Sequence, residues 1–196
     1  MQLRIVLLLG ALCATVALAQ QPVSPDPDHN AKEENKAPAS PMQQLVAKQF
    51  GPDFKVDAHF DPVLGDMDGD GVEDIALIAT SKNPMGGSGA HNYTVTDPYD
   101  GYFGFGNAKI MSSFSTSVHP RCILIIDDWK AATPKAKWVI VNVPFEKITL
   151  GQVTLKKKKT VAAVTAIGSD GIAAMVYFDG HRYKWEPTAY DEENDK

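Results

Sequence analysis

Gly65-Asp66-Met67-Asp68-Gly69-Asp70-Gly71-Val72-Glu73-Asp74 runs without a spacer into Ile75-Ala76-Leu77-Ile78-Ala79. Counting from Asp66, carboxylates stand at positions 1, 3, 5 and 9, with a glycine at position 6. That spacing lets a tightly wound loop turn several oxygens onto one hard cation. Calcium takes about 6–8 oxygen ligands, and loops of this kind commonly add the backbone carbonyl of position 7, here Val72. Gly71 supplies the positive φ that a sharp turn needs at little steric cost. Four carboxylates held this close repel one another, and a bound cation relieves the repulsion. The alternative is a solvated acidic turn whose side chains bond nearby backbone amides.

The loop is not a complete EF-hand, because position 12, which requires a bidentate Glu, is Leu77. Nor does a helix follow it. Val72 to Thr80 is a short run rich in β-favouring and apolar residues, which reads as a buried strand. A D-x-D-G-D-G-x-x-D loop entering an Ile-Ala-Leu-Ile strand resembles the calcium loop of FG-GAP/VCBS-type repeats, the integrin-like propeller repeats. The resemblance covers about 20 residues, from Val63 to Thr80. It implies Asp66, Asp68, Asp70 and Asp74 as side-chain ligands of Ca2+ and Val72 as the carbonyl ligand. One copy is present, whereas a propeller has at least about four blades, so the resemblance does not extend to the propeller fold.

Residues 1–19 read as a secretory signal peptide: Arg4 at the basic end, an apolar segment from Ile5, and Ala17-Leu18-Ala19 as the cleavage signal before Gln20. The apolar run is shorter than the about 20 residues of a spanning helix, so no transmembrane segment is expected after cleavage. The chain is therefore expected in the periplasm or secreted. Loss of Arg4 with the leader takes the formal net charge from −5 to about −6, which bears on solubility rather than on function. Cys13 leaves as well, so Cys122 is the remaining cysteine and no internal disulfide forms. Within Arg121-Cys122-Ile123-Leu124-Ile125-Ile126, a buried and inert thiol is the expected state.

Residues 20–40 are rich in proline, charge and small polar side chains, and read as a disordered tether. A short helix is expected from Met42 to Phe50, opened by Pro41 and stopped by Gly51-Pro52, with Leu45, Val46 and Phe50 on one face. Phe54 to Phe60 alternates as a half-buried strand does, with His59 on its polar face. Residues 82–120 form the least regular stretch. Tyr99, Tyr102, Phe103 and Phe105 lie there among glycines, either tucked under the sheet or forming a stacking surface for a sugar or peptide.

No catalytic constellation emerges. His91 and His119 lack a spacing that joins them. Ser113, Ser115 and Ser117 lack a G-x-S-x-G context, and both the P-loop and the dinucleotide fingerprint are missing.

The second half reads as sheet. Cys122–Ile126 is a strand ending at Asp127-Asp128-Trp129, Lys130 to Lys137 is a turn, and Trp138–Val143 is the next strand. Ile148 to Leu155 adds another, and Val161 to Ile167 reads equally as strand or short helix. Ile172–Phe178 and His181–Trp185 form a hairpin around Asp179-Gly180. Lys156–Lys159 is the one basic run. In a chain with pI near 5.5 and no nucleic-acid motif, it reads as a solvated cluster protecting a strand edge, and nucleic-acid binding is not expected.

One α+β domain over residues 41–190 is expected, mainly antiparallel sheet with a short N-terminal helix, followed by an acidic tail at 191–196. An all-β barrel or sandwich is the alternative. The expected function is that of a calcium-binding module meeting a protein or glycan of the envelope. A hydrolase using 82–120 as its cleft, and a tethered structural factor of the envelope, are the alternatives.

Overall fold

Ser40 accepts a hydrogen bond from the Gln43 amide at 3.1 Å and Pro41 occupies the first helical position, so helix α1 (Pro41–Phe50) begins where the sequence places it. It stops at Gly51, whose φ of 98° few other residues would adopt. The computed structural model describes residues 39–104, 121–169 and 171–188, which fall within one compact unit, Pro38–Lys196. The signal segment 1–19, nearly all of the tether, Phe105, Ser113, Ser115, Ser117, His119 and the acidic tail lie outside the described residues.

Strand β1 (Lys55–Val56) is far shorter than the alternating run from Phe54 to Phe60. Asp57 ends it, because its Oδ1 accepts the His59 amide at 3.1 Å and its carbonyl accepts the Phe60 amide at 3.2 Å. This local turn outcompetes the ladder. The chain returns as β2 (Val63–Gly65), and both strands pair antiparallel with one edge of β3 (Asp74–Thr80), through Val56↔Ala79 and Val63↔Ala76. Val72, expected at the start of that strand, lies outside it and is exposed.

On the other side of β3 lies β5 (Arg121–Ile126), and beyond it β6 (Lys137–Ile140), both antiparallel. The short β4 (Thr94–Thr96) closes this sheet as a parallel partner of β6. The second sheet is an antiparallel meander of β7 (Lys147–Thr154), β8 (Thr160–Ile167), β9 (Ala173–Phe178) and β10 (Tyr183–Pro187). Val161 to Ile167 is therefore strand. The β9–β10 hairpin forms around Asp179-Gly180 as expected. Its second strand starts later, at Tyr183, because Asp179 Oδ1 draws the His181 and Arg182 amides into the turn. The lysine run lies at the tip of the β7–β8 hairpin, where Lys156–Lys158 makes one 3-10 turn.

The first sheet is covered on both faces. Ile75, Leu77, Cys122, Leu124, Ile126 and Val139 face α1 through Val46 and Phe50, with Phe54 and Tyr93 filling between. Ala76, Ile78, Ile123, Ile125 and Ile140 face the second sheet, meeting Val164, Ala166, Val176, Tyr183 and Trp185. A strand buried on both faces needs no polar alternation, which is why β3 and β5 read as unbroken apolar runs. The protein is mostly antiparallel β-sheet with few, short helices.

Helix α2 (Ser88–His91) and helix α3 (Pro98–Tyr102) occupy the irregular stretch. Tyr99 and Tyr102 meet the Trp185 ring edge-on, with centroids 5.0 and 5.1 Å away. Tyr99 packs against the core, while Tyr102 and Phe103 keep about half of their surface exposed, at 51% and 53%. The packing of Tyr99 against the core is the satellite-core arrangement; Phe105 lies outside the described residues.

Candidate metal centre

Gly65 and Asp74 are partners across the β2–β3 hairpin, so residues 66–73 are a loop closed by the ladder itself. Gly69 and Gly71 take φ of 74° and 91°, the left-handed region where glycine is favoured, and they wind the loop tightly enough to turn its carboxylates inward. Met67, only 1% exposed, inserts between the two sheets and pins the loop to the core. The Asp66 carbonyl accepts the Ala162 amide of β8 at 2.8 Å, and the Asp68 carbonyl accepts from Lys159 Nζ at 3.0 Å. The loop therefore grips both sheets. At Gly65 the approach is close enough that a Cβ would stand 2.7 Å from the Ala162 Cβ.

Each carboxylate is oriented by backbone amides. Asp66 Oδ2 accepts from Gly71 at 2.9 Å, Asp68 Oδ1 from Asp70 at 3.0 Å, and Asp70 Oδ1 from Val72 at 2.9 Å. Asp74 is fully buried; its Oδ2 accepts from Met67 at 2.7 Å and its Oδ1 from Asp128 at 2.9 Å. Burial pushes the Asp74 carboxyl upward, against the opposing pull of these amides, and the charge of Asp68 pushes the same way. Asp66, Asp68 and Asp74 each bring one oxygen within 4.8 Å of the others. Asp70 is not part of that trio. Its Oδ2 and Asp68 Oδ2 hold the Lys135 ammonium between them, at 2.6 and 2.5 Å. That ammonium, followed by the Val72 amide, is what draws the Asp70 carboxyl below its ordinary range. Val72 stands at the exposed rim of the loop.

The residues fit a hard divalent cation. The donor set is oxygen alone, Asp66 Oδ1 is buried without a hydrogen-bond partner among the described residues, and a cationic group already lies on two of the carboxylates. A divalent ion held here would act as a crosslink between the loop and the strands beneath it.

Three residues adjoin the site that the linear spacing could not indicate, all of them outside the trio within 4.8 Å. Asp127 and Asp128 follow β5, whose Ile126 pairs with Ile75, so they arrive beside Asp74. Asp127 is 4% exposed, with Oδ2 accepting from Trp138 Nε1 at 3.2 Å. Burial, with Asp74 and Asp68 adding to it, pushes its carboxyl up to about 7. Lys135 comes from the β5–β6 turn, where its amide bonds the Asp127 carbonyl at 3.1 Å. The signal for the two aspartates was their place at the end of an apolar strand, legible only once β5 is known to run antiparallel beside β3. His59 lies apart from this centre, exposed and bonded to Asp57 Oδ1 at 2.7 Å. Comparison with family models, with curated proteins and with solved structures returned no match to this chain.

Proposed function

We propose that this chain is an exported calcium-binding domain of α+β class, with its short N-terminal helix on one face of a mainly antiparallel sheet. One structural Ca2+ is held in the loop between Asp66 and Asp74. The observation that carries the reading is the convergence of Asp66, Asp68 and Asp74 within 4.8 Å around a buried, unpartnered Asp66 Oδ1. Calcium is favoured over magnesium because a many-oxygen loop suits its larger, flexible coordination. The resemblance of residues 63–80 to FG-GAP/VCBS calcium loops supports the same ion. Asp70 and the Val72 carbonyl complete the set when Lys135 leaves.

The signal-like segment at 1–19 makes the compartment periplasmic or extracellular. The partner is a protein or glycan of the envelope, met by a surface that includes the exposed rings of Tyr102 and Phe103. This reading assigns no catalytic residue.

A thermal melt in chelator followed by a calcium titration tests the metal. Binding to the native state alone stabilises by about 2.7 kcal/mol at a hundredfold excess over the dissociation constant, roughly 5–10 °C for a chain of this size. Asp66→Asn should abolish the rise. Glu73→Gln should retain it, since Glu73 is turned outward onto Lys130 at 2.8 Å. No rise at millimolar calcium, or an equal rise with magnesium, refutes the proposal.

A further inference from the structure

Beside the acidic loop, Asp74 meets a second buried carboxylate brought from another part of the chain. Asp127 comes from beyond β5. In the β3–β5 register the pair after Ile75↔Ile126 is Asp74 and Asp127, and the Asp128 amide bonds Asp74 Oδ1 at 2.9 Å, which fixes the two chain ends side by side. Strand alternation settles the direction. Ile123 and Ile125 face the second sheet, as do Ala76 and Ile78, so Asp127 and Asp74 face it too.

Directly across that interface is Tyr183, only 2% exposed, whose hydroxyl has no hydrogen-bond partner among the described residues. Asp127 Oδ1, Asp128 Oδ1 and Asp66 Oδ1 are likewise buried and unpartnered.

Buried polar atoms are almost always satisfied, so the orphaned oxygens of Asp66, Asp127 and Asp128 call for a ligand that oxygen binds; Asp127 lies beside the Asp66, Asp68 and Asp74 trio rather than within its 4.8 Å. A second proton donor would satisfy one of them. A cation satisfies them together and also offsets the repulsion between the Asp74 and Asp127 carboxylates.

We propose that Asp127 is a ligand of the cation, so that the ion is bound by a set spanning the β2–β3 loop and the end of β5 rather than by the loop alone. Trp138 Nε1 orients the carboxylate by holding Oδ2, which leaves Oδ1 to face the ion. The consequence is mechanical. The ion ties the loop to the neighbouring strand of the first sheet, and its removal loosens the edge at which the two sheets meet. This inference rests on the calcium reading above.

Calorimetric titration of CaCl2 into chelator-treated protein tests it, comparing wild type, Asp127→Asn and Asp66→Asn, with melts in chelator alongside. Asparagine is isosteric and still accepts from Trp138, so the fold is retained. The expected result has two opposed parts. In chelator Asp127→Asn melts at or above the wild-type temperature, because a buried carboxylate is gone; its calcium affinity falls at least tenfold. Should Asp127→Asn fail to melt cooperatively, Asp127→Glu takes its place: it keeps the charge, moves the carboxylate by one methylene, and should also weaken binding at least tenfold. An affinity within twofold of wild type in the variant that folds, with Asp66→Asn no longer binding, overturns the role of Asp127 and leaves the loop site standing. Wild-type protein that takes up no calcium overturns both.

Discussion

Lys135→Met is the substitution whose effect changes sign with the metal. The Lys135 ammonium lies 2.5 Å from Asp68 Oδ2 and 2.6 Å from Asp70 Oδ2, so it stands where a cation ligated by those oxygens would be. An ammonium and a divalent ion about 4 Å apart repel by about 2 kcal/mol at the dielectric of water, a factor of about 30 in affinity if neither moved. Lys135 is roughly half exposed, at 48%, and can swing into solvent, which leaves an expected gain of about tenfold in calcium affinity when the charge is deleted. Without metal the same deletion leaves Asp68 and Asp70 without their counter-charge, so the melting temperature in chelator should fall. The two effects combine into a larger calcium-induced shift than in wild type. Calorimetry with CaCl2 at low and moderate salt reads the first, and paired melts in chelator and calcium read the second. The affinity gain should shrink as salt rises, because partly exposed charges are screened. Lys130→Met is the control, since Lys130 engages the non-ligand Glu73. Unchanged or weaker calcium binding by Lys135→Met would refute the argument that this ammonium and the ion compete for the same oxygens.

Two further expectations concern the rest of the fold. Cys122 is fully buried on the face of β5 that packs against α1, and burial pushes its thiol up to about 12, so a thiol reagent should label it at the rate of global unfolding; prompt labelling of native protein would contradict its place in the core. Asp57 is held below the ordinary carboxylate value, as burial, which acts upward, is outweighed by bonds from His59 and Arg121. A depressed carboxylate contributes stability present above the unfolded value and lost as pH falls through the folded one. Asp57→Asn should therefore melt below wild type at pH 7, with the deficit closing below about pH 3.8, the unshifted value; a deficit constant across a pH series of melts would show that the charge is not what matters.

The linear sequence carried the elements whose cause is local. Ser40-Pro41 and Gly51 bound α1 by capping and backbone conformation, Asp179-Gly180 turns the last hairpin, and the aspartate spacing with Gly71 shapes the loop, all within a few residues of one another. Apolar runs marked β3 and β5 as deeply buried. The alternation from Phe54 to Phe60 misled because a single Asx turn at Asp57 competes with the ladder, and periodicity does not register that competition. Val161 to Ile167 became strand only because eight residues of β7 pair with β8, a long-range ladder that overrides a local pattern compatible with helix.

The candidate metal centre divides along the same line. Asp66, Asp68 and Asp74 were legible from their spacing. Asp127 and Lys135 come beside it only through the antiparallel β3–β5 register and the β5–β6 turn. Spacing along a loop determines which oxygens can curl onto a point. Which charges from elsewhere arrive at that point is decided by strand pairing and sheet packing, because those contacts join residues separated by tens of positions in the chain.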